Sequence, residues 1–232
     1  YLVTSSSVAG NLYCNTGTGN NKICNTVYIA PSPADFPISD ASINQWKEDA
    51  TAGGIINGNY TVSSSASLGP KKIVGNLKIN GNKILTLTGA LWVTGDIELE
   101  NGSTMKLDSF FQGNGGVIVT DGVVEISNNV TFMGSGQSGS YILLITTSDC
   151  PTDPSCDGDY AIDVSNNSSA IILNAQRGTI HLNNNAGLRE ATAEQIILEQ
   201  GATVNYESGL SSLNFISGPS GGWNISSWQE TE

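Results

Sequence analysis

The sequence predicts an all-β fold, a right-handed parallel β-helix (solenoid) with one short capping α-helix near the N-terminus. A short motif recurs in which two apolar residues flank a third, usually polar residue and a small polar corner follows; its copies start at Leu77, Ile97, Val124, Ile162, Ile180 and Ile196. Three of the five spacings between successive copies are 16 to 20 residues, and the other two are 27 and 38 residues. The shorter spacing is the period expected of solenoid rungs. Because alternate residues of a strand point to opposite faces, each copy supplies two inward side chains and then a corner.

An antiparallel β-sandwich is the alternative fold, because its hairpins use the same Asn and Gly turn residues. Near-repeats of one motif favour the solenoid, in which neighbouring parallel rungs stack identical positions above one another. The runs Asn128–Asn129, Asn166–Asn167 and Asn183–Asn185 are then expected to form side-chain amide ladders at the corners.

The chain of 232 residues is predicted to form one structural domain with three parts. Residues 1–57 hold an N-terminal rung, a disulfide loop and the capping helix. Residues 58–216 form the parallel β-helix, and residues 217–232 form a C-terminal closing strand. A solenoid accommodates this length because its core grows along one axis.

The helix is predicted just before the rungs. It begins with Ser39 or Asp40 as the N-cap and ends at Gly53–Gly54, since these residue types favour those positions. Ile43 and Trp46 are spaced to lie on one side of such a helix. We expect them to form an interface with the open end or one face of the solenoid, whose unpaired strand edges need a cover.

The four cysteines form two close pairs in the sequence, Cys14 with Cys24 and Cys150 with Cys156. The residues around them are typical of loops, which predicts two local disulfides. Zinc binding is the alternative, but the spacings differ from CxxC and the only histidine, His181, is distant in sequence. Because disulfides form in oxidising compartments, we expect an extracellular or cell-surface protein.

The formal charge of −12 reflects 9 Lys and Arg against 21 Asp and Glu. This charge opposes binding to nucleic acid and to anionic lipid. No window is apolar enough for a membrane span, so we expect no direct membrane insertion by this chain. Tyr1–Thr4 lacks the pattern of a signal peptide, and we expect that a targeting segment has been removed.

Polysaccharide lyases and hydrolases with a β-helix cluster aspartates beside Arg or Lys in a groove across adjacent rungs. Here the arginines are only Arg177 and Arg189, and the isolated aspartates are Asp96, Asp108, Asp121 and Asp163. His181 lies between two inward apolar residues, which predicts an exposed strand residue on the face opposite the core. We therefore expect a protein that is not an enzyme.

The acidic loop at residues 149–159 is the candidate metal site. Its carboxylates are oxygen ligands of the kind that calcium prefers; they belong to Asp149, Asp153, Asp157 and Asp159. Their spacing differs from that of an EF-hand, so a solvated loop is the alternative. We expect no cofactor, with calcium as the one candidate.

Exposed aromatic side chains are candidates for sugar-stacking platforms or subunit contacts. These candidates are Tyr13, Tyr28, Trp92, Phe110 and Phe111. Trp92 is expected to point outward, and a structural position under a loop or under the capping helix is its alternative role.

The C-terminal tail is the most distinctive segment, because Trp223 and Trp228 bracket a short strand there. Together with the rungs, the tract at 136–144 and the helix entry at 36–40, it resembles the β-helical ectodomains of minor-pilin-like and other surface-appendage proteins of bacteria. In those proteins a β-helix follows an N-terminal apolar anchor, and the chain ends on a Gly-Trp-x-x-x-Ser-Trp-like strand. We expect Trp223 and Trp228 to lie at an interface. This chain shows no such anchor helix, so polymerisation through one is not expected.

The leading functional hypothesis is a non-enzymatic structural or adhesive subunit of an extracellular appendage. Its partners would be other copies, other appendage subunits or surface glycans, because the ends of a solenoid expose strand edges. A carbohydrate-binding or polysaccharide-degrading β-helix, with calcium as its candidate cofactor, is the second hypothesis. An ice-binding solenoid is the third, although the threonines do not recur at one position in rung after rung.

Overall fold

The computed structural model describes residues 12–13, 22–25, 36–150, 156, 160–166, 172–204 and 215–218. The chain divides into two compact units, Tyr1–Asp35 and Phe36–Glu232. In the first unit, strand β1 (Leu12–Tyr13) pairs in parallel with β2 (Cys24–Asn25). The N-terminal rung, predicted at the start of residues 1–57, and nearly all of the predicted closing strand at 217–232 lie outside the described residues.

The second unit begins with the predicted helix. Helix α1 spans Asp40–Ala52, and the N-cap Ser39 accepts a hydrogen bond on its side-chain oxygen from a backbone N–H of the first turn at 3.1 Å. The helix ends at Gly53, in agreement with the predicted bounds. Its buried residues are Ile43, Trp46 and Ala50. In the described part of the chain, no helix is long and apolar enough to cross a membrane.

The rest of the unit consists of short strands. They are β3 (Ile55–Asn57), β4 (Tyr60–Val62), β5 (Ala66–Leu68), β6 (Lys71–Val74), β7 (Leu77–Ile79), β8 (Ile84–Leu87), β9 (Leu91–Val93), β10 (Ile97–Leu99), β11 (Thr104–Leu107), β12 (Gly115–Thr120), β13 (Val124–Ile126), β14 (Thr131–Met133), β15 (Ile142–Thr146), β16 (Ile162–Val164), β17 (Ile172–Leu182), β18 (Gly187–Leu188), β19 (Glu190–Leu198), β20 (Thr203–Val204) and β21 (Phe215–Ile216). A 3-10 helix at Ser109–Phe111 separates β11 from β12.

Every strand pairing within the described residues is parallel. The main sheet runs β3-β6-β9-β12-β15-β17-β16-β13-β10-β7-β4, and a second sheet runs β14-β11-β8-β5. In the first rungs each strand therefore pairs with the strand three elements further along the chain. The long strands β17 and β19 span both halves of the main sheet. The fold is a solenoid-like stack of parallel sheets, and the antiparallel sandwich is excluded for this region.

The parallel register places the motif copies above one another. Their first apolar residues lie in one inward column, which runs Tyr60, Leu77, Ile97, Val124, Ile162, Ile180 and Ile196. Their second apolar residues form a neighbouring column, which runs Val62, Ile79, Leu99, Ile126, Val164, Leu182 and Leu198. From β7 to β17 every member of both columns is at most 1% exposed. The predicted motif copies from Leu77 to Ile180 thus occupy equivalent positions in the core, whereas Ile196 and Leu198 of the last copy are 41% and 49% exposed.

A second hydrophobic cluster lies on the outer face of the main sheet. Here Ile43 and Trp46 of α1 join outward residues of β12 and β15; these are Val117, Val119, Leu143 and Ile145. Strands β12 and β15 are consequently buried along their whole length. The helix thus covers a side face of the stack, one of the two positions that the sequence predicts for it.

Side chains at the corners bond to the backbone of the next rung. The Asn59 Oδ1 atom accepts from the Asn76 backbone N–H at 2.9 Å, and Asn76 Oδ1 accepts in turn from Asp96 at 3.0 Å. Asn129 donates its side-chain amide to Asn101 at 3.3 Å, which joins the Asn side chains of two neighbouring corners. The contacts of Asn59 and Asn76 satisfy backbone groups that a turn would otherwise leave unpaired.

Candidate functional site

The middle positions of the motif form an outward column on the half-sheet made by β4, β7, β10, β13, β16 and the C-terminal ends of β17 and β19. The column runs Thr61, Lys78, Glu98, Glu125, Asp163, His181 and Ile197. Titratable side chains therefore lie on consecutive strands. In a β-helix, a catalytic or binding cluster is formed by side chains in such an arrangement. A groove of about 390 Å³ covers the first part of this column.

Lys78, which lines this groove together with Glu98, bridges two carboxylates. Its Nζ atom lies 2.7 Å from Glu98 Oε1 and 2.8 Å from Glu100 Oε1. The hydrogen bonds to Glu100 and then to Glu98 raise the pKa of Lys78 above its ordinary value. The bond from Lys78, followed by one from the Gly81 N–H, lowers the pKa of Glu100. Because these side chains are partly exposed, the pairs order the groove more than they stabilise the fold.

His181 lies between two carboxylates further along the column. Its Nδ1 atom is 2.8 Å from Asp163 Oδ1, and its Nε2 atom is 3.5 Å from Glu199 Oε1. The Tyr160 ring packs against the imidazole with 4.3 Å between centroids, and Asn183 donates to the same Asp163 oxygen at 2.8 Å. His181 is only 8% exposed, so the prediction of an exposed histidine is wrong. The side chain does point away from the core, but these neighbours cover it.

The contacts of His181 limit the chemistry available to it. An imidazole paired with a carboxylate is a common proton-transfer unit. Here, however, each ring nitrogen faces a carboxylate oxygen, from Asp163 or from Glu199. Asp163, His181 and Glu199 belong to three successive levels of the stack, so their contacts connect neighbouring strands.

The remaining isolated aspartates also have structural contacts. Asp96 Oδ1 accepts from the backbone N–H of Val123 at 3.0 Å, in the next rung. Asp108 is the N-cap of the 3-10 helix and accepts from the Phe110 N–H at 2.9 Å. Asp121 forms an ion pair with Lys47 of α1. None of these three contacts brings two aspartates together.

Trp92 lies on the outer face beside the helix. The Lys72 ammonium is 3.6 Å from the centre of the Trp92 ring, and that of Lys47 is 5.3 Å away. The Trp92 Nε1–H donates to Asp121 at 2.8 Å, and Lys47 forms an ion pair with the same carboxylate at 2.5 Å. This half-buried position beside α1 matches the structural role that the sequence allows for Trp92.

The other predicted aromatic candidates are dispersed. Phe111 is fully buried, whereas Phe110 is 45% exposed. Tyr28 and the side chain of Tyr13 lie outside the described residues. An aromatic side chain that the sequence did not single out, Tyr141, borders a second groove.

This second groove has a volume of about 380 Å³ and lies beside the loop between β14 and β15. Its lining includes Gly134 and residues 136–140 of that loop, together with Tyr141 and Arg189. The Arg189 guanidinium carbon lies 5.1 Å from the centre of the Tyr141 ring, a cation–π distance. An aromatic face, an arginine and polar backbone groups are features of sites for anionic or hydroxylated ligands.

The predicted metal loop is only partly described. Cys150 and Cys156 form a disulfide with their Cα atoms 5.5 Å apart. Within the described residues, the one group of potential metal ligands is the exposed Asp149 with these two sulfur atoms. Because both sulfurs are in the disulfide, neither is a thiolate that could bind a metal. Asp153, Asp157 and Asp159 lie outside the described residues, so the calcium hypothesis stays a prediction. The disulfide between Cys14 and Cys24 also stays a prediction, because Cys14 lies outside the described residues.

The predicted interface residues fall into two groups. Ile43 and Trp46 are 5% and 3% exposed and lie in the cluster between α1 and the sheet. Trp223 and Trp228 lie outside the described residues. The interface at Ile43 and Trp46 is therefore an internal one, between the helix and the outer face of the stack.

The chain matches no protein-family model, and comparison with curated proteins and with solved structures gave no significant similarity. What the protein does is therefore inferred from the contacts, burial and charges of its own residues.

Proposed function

We propose that this protein is a non-enzymatic structural or adhesive subunit of an extracellular cell-surface appendage, built as a right-handed parallel β-helix. The observation that carries the proposal is the pair of uninterrupted apolar columns, from Tyr60 to Ile196 and from Val62 to Leu198. Columns of this kind make an elongated, stiff body in which each rung contacts its neighbours. Such a body suits a spacer or a display element.

The polar side chains of the outer face support a structural role. Lys78 binds Glu98 across adjacent strands, and His181 binds Asp163 in the same way. Asp121 binds both the helix and Trp92. Lys78, His181 and Asp121 are thus engaged in contacts that hold neighbouring elements together.

The disulfide supports an extracellular location. Cys150 and Cys156 close a short loop, and such bonds persist in oxidising surroundings. Only 13% of the residues are charged, so hydration of the surface depends on Asn, Ser, Thr and Gly. This composition is consistent with secretion.

Two assays test the proposal. Antibody detection in sheared surface material, periplasm, membranes and cytosol of the source cells is expected to place the protein in the sheared fraction. Incubation of the purified protein with neutral and acidic polysaccharides is expected to release no new reducing ends. If reducing ends are released, and Glu98→Gln or Glu125→Gln abolishes their release, the protein belongs to the enzymatic alternative. A cytosolic location would contradict the surface assignment.

Carbohydrate binding is a second candidate function, favoured by the groove at Tyr141 and Arg189. A sugar ring stacked on Tyr141, with its hydroxyl or carboxylate groups near Arg189, would give an adhesive tip. Tyr141→Ala is expected to abolish glycan binding on an array, whereas Phe110→Ala, a change at an exposed aromatic elsewhere, leaves it intact. Equal loss in both variants, or binding by neither wild type nor variants, contradicts this candidate.

The ice-binding alternative has less support. Thr104 pairs with Thr131, but the same column begins with Ile84. The neighbouring outward column of that sheet runs Ser67, Thr86, Lys106 and Met133. A flat, repeated threonine row is therefore not formed on this sheet.

A further inference from the structure

The groove beside the loop between β14 and β15 contains one ionic group. Arg189 is the one charged residue among the described residues that line it, and the adjacent Glu190 is not a lining residue. Residues 126–148, which include the loop, contain no Asp, Glu, Lys or Arg. The groove at Lys78, by contrast, is lined by three carboxylate residues. In a chain with a net charge of −12, the groove at Arg189 is therefore the one of the two that suits a negatively charged group.

Tyr141 holds the guanidinium of Arg189 at this groove. The guanidinium carbon lies 5.1 Å from the centre of the ring, which is a cation–π distance. The N–H donors of a guanidinium lie in its own plane, where they match the two oxygens of a carboxylate. A single guanidinium also balances the one charge of a carboxylate, whereas a phosphate monoester carries about −1.5 to −2. The geometry thus favours a carboxylate as the ionic group of the ligand.

The rest of the lining combines polar and apolar groups. Gln137 and Ser138 are exposed on the loop and provide an amide and a hydroxyl for hydrogen bonds. Met133, which is 52% exposed, provides a flexible apolar surface. A sugar ring has hydroxyl groups at its edge and C–H groups on its faces, so it can contact both kinds of surface. The volume of about 380 Å³ lies within the range of about 300–1,000 Å³ that is typical of small-molecule sites.

Hydrogen bonds from a neighbouring turn fix the shape of the loop. The Ser140 side chain is almost fully buried, and its Oγ atom accepts from the Ser135 N–H and donates to the Asn114 carbonyl, each at 2.9 Å. The Ser135 hydroxyl donates to the carbonyl of Gln112. A Cβ atom on Gly134 would lie 2.0 Å from the Ser140 carbonyl oxygen, so the two ends of the loop meet closely. A wall that is already ordered lowers the entropic cost of binding a ligand.

We propose that this groove binds a sugar residue that carries a carboxylate. The carboxylate contacts the Arg189 guanidinium, and the sugar hydroxyls contact the polar groups of the loop at 134–140. This inference rests on the carbohydrate-binding function proposed above and narrows its ligand to acidic glycans of low charge density. Dense polyanions such as nucleic acid are disfavoured, because the net charge of the chain repels them.

Three ligands that differ in one group test the carboxylate contact. They are a disaccharide with one glucuronic acid residue, the methyl ester of that disaccharide, and the corresponding neutral glucose disaccharide. Titration calorimetry of the wild-type chain is expected to show the acid binding at least about tenfold more tightly than either uncharged form, because only the acid makes a charge-assisted contact. The preference should shrink as the salt concentration rises.

Substitution of each arginine in turn locates the contact. Arg189→Met and Arg177→Met each remove one positive charge, but Arg177 lies elsewhere and pairs with Asp40 at 3.0 Å, which makes it the matched control. Arg189→Met is expected to weaken binding of the acid at least about tenfold, whereas Arg177→Met leaves it unchanged. Arg189→Lys keeps the charge without the planar donors and should restore part of the preference. Circular dichroism confirms that the variants are folded.

Other outcomes overturn the proposal. Equal affinity for the acid and its methyl ester would refute the carboxylate contact while leaving carbohydrate binding standing. Binding of none of the three ligands would refute both, although detection in the sheared surface fraction would still support the appendage role. Tighter binding of glucose 6-phosphate than of the glucuronic acid disaccharide would assign the groove to phosphate. Equal losses in Arg189→Met and Arg177→Met would mean that the overall charge, and not this groove, sets the affinity.

Discussion

The imidazole of His181 and the carboxylate of Asp163 form a contact between adjacent strands, with Nδ1 2.8 Å from Oδ1 and the two residues partners in the parallel register. The same column begins with the Lys78–Glu98 ion pair. In this column, Glu125 stands between the two pairs and is flanked in register by the carboxylates Glu98 and Asp163. The two pairs complement the apolar columns inside, because both depend on the same register.

Removal of the imidazole should destabilise the last rungs. We expect His181→Ala to lower the free energy of unfolding by about 1–2 kcal/mol, because a largely buried hydrogen bond is lost. Chemical denaturation measures the change. Arg177→Ala is the control, since the Arg177–Asp40 pair is 60% and 69% exposed and its loss should cost about 0–1 kcal/mol. Equal effects in the two variants would contradict the buried contact.

The inward columns should lose stability when one member is shortened. Ile180→Ala leaves a cavity at a fully buried site and is expected to cost about 2–5 kcal/mol. Ile196→Ala removes the same atoms from the same column, but at a side chain 41% exposed, so a loss of about 1 kcal/mol or less is expected. Denaturation of dilute, monomeric protein compares the two. A larger loss for Ile196→Ala would mean that β19 is covered.

The outer cluster should hold the helix independently of the inner core. Trp46→Ala removes the large side chain between α1 and the sheet, and we expect the α1 amides to lose hydrogen-exchange protection while those of β7 and β10 keep theirs. Glu48→Ala, on the exposed side of the helix, should leave both regions unchanged. Simultaneous loss of protection in the helix and in the strands would show that the helix and the stack are one cooperative unit.

The Lys78–Glu100 pair should give stability a weak dependence on pH. The pKa of Glu100 is lowered from 4.5, so its contribution is present above that value and is lost as the pH falls through the lowered pKa. The pKa of Lys78 is raised from 10.5, so its contribution is present below that value and is lost as the pH rises through the raised pKa.

Carboxyl NMR titration tests this pair. Lys78→Met should move the pKa of Glu100 upward, though not fully to 4.5, because the Gly81 N–H still donates to it. Lys83→Met removes a positive charge from the neighbouring turn and serves as the control. A Glu100 pKa that responds equally to both changes would show that the general field, and not the hydrogen bond from Lys78, sets it.

The inner core could be predicted because its signal is local and repeated. The motif starts, from Leu77 to Ile196, all fall in one column. The Asp163–His181 contact was missed, although the signal was present. Aligning the copies that start at Ile162 and Ile180 puts the two polar residues at the same position, one rung apart.

Other features carry no repeated signal. The burial of β12 and β15 on both faces depends on α1, which lies far earlier in the chain. Their continuous apolar runs, Val117–Val119 and Ile142–Ile145, were the available hint, since a strand with one exposed face alternates. The approach of Arg189 to Tyr141 depends on a loop that does not repeat the motif, and sequence periodicity therefore could not predict it.

The distance between spin labels along the outward column tests the stacked register most directly. Thr61 and Asp163 lie four strands apart in the column, and Thr61 and Ile197 lie six apart. At about 4.8 Å per strand, pulsed electron resonance should give backbone separations near 19 Å and 29 Å, respectively. Distances that grow by one strand spacing per rung are the predicted result. Equal or shorter distances for the Thr61–Ile197 pair would contradict a continuous stack.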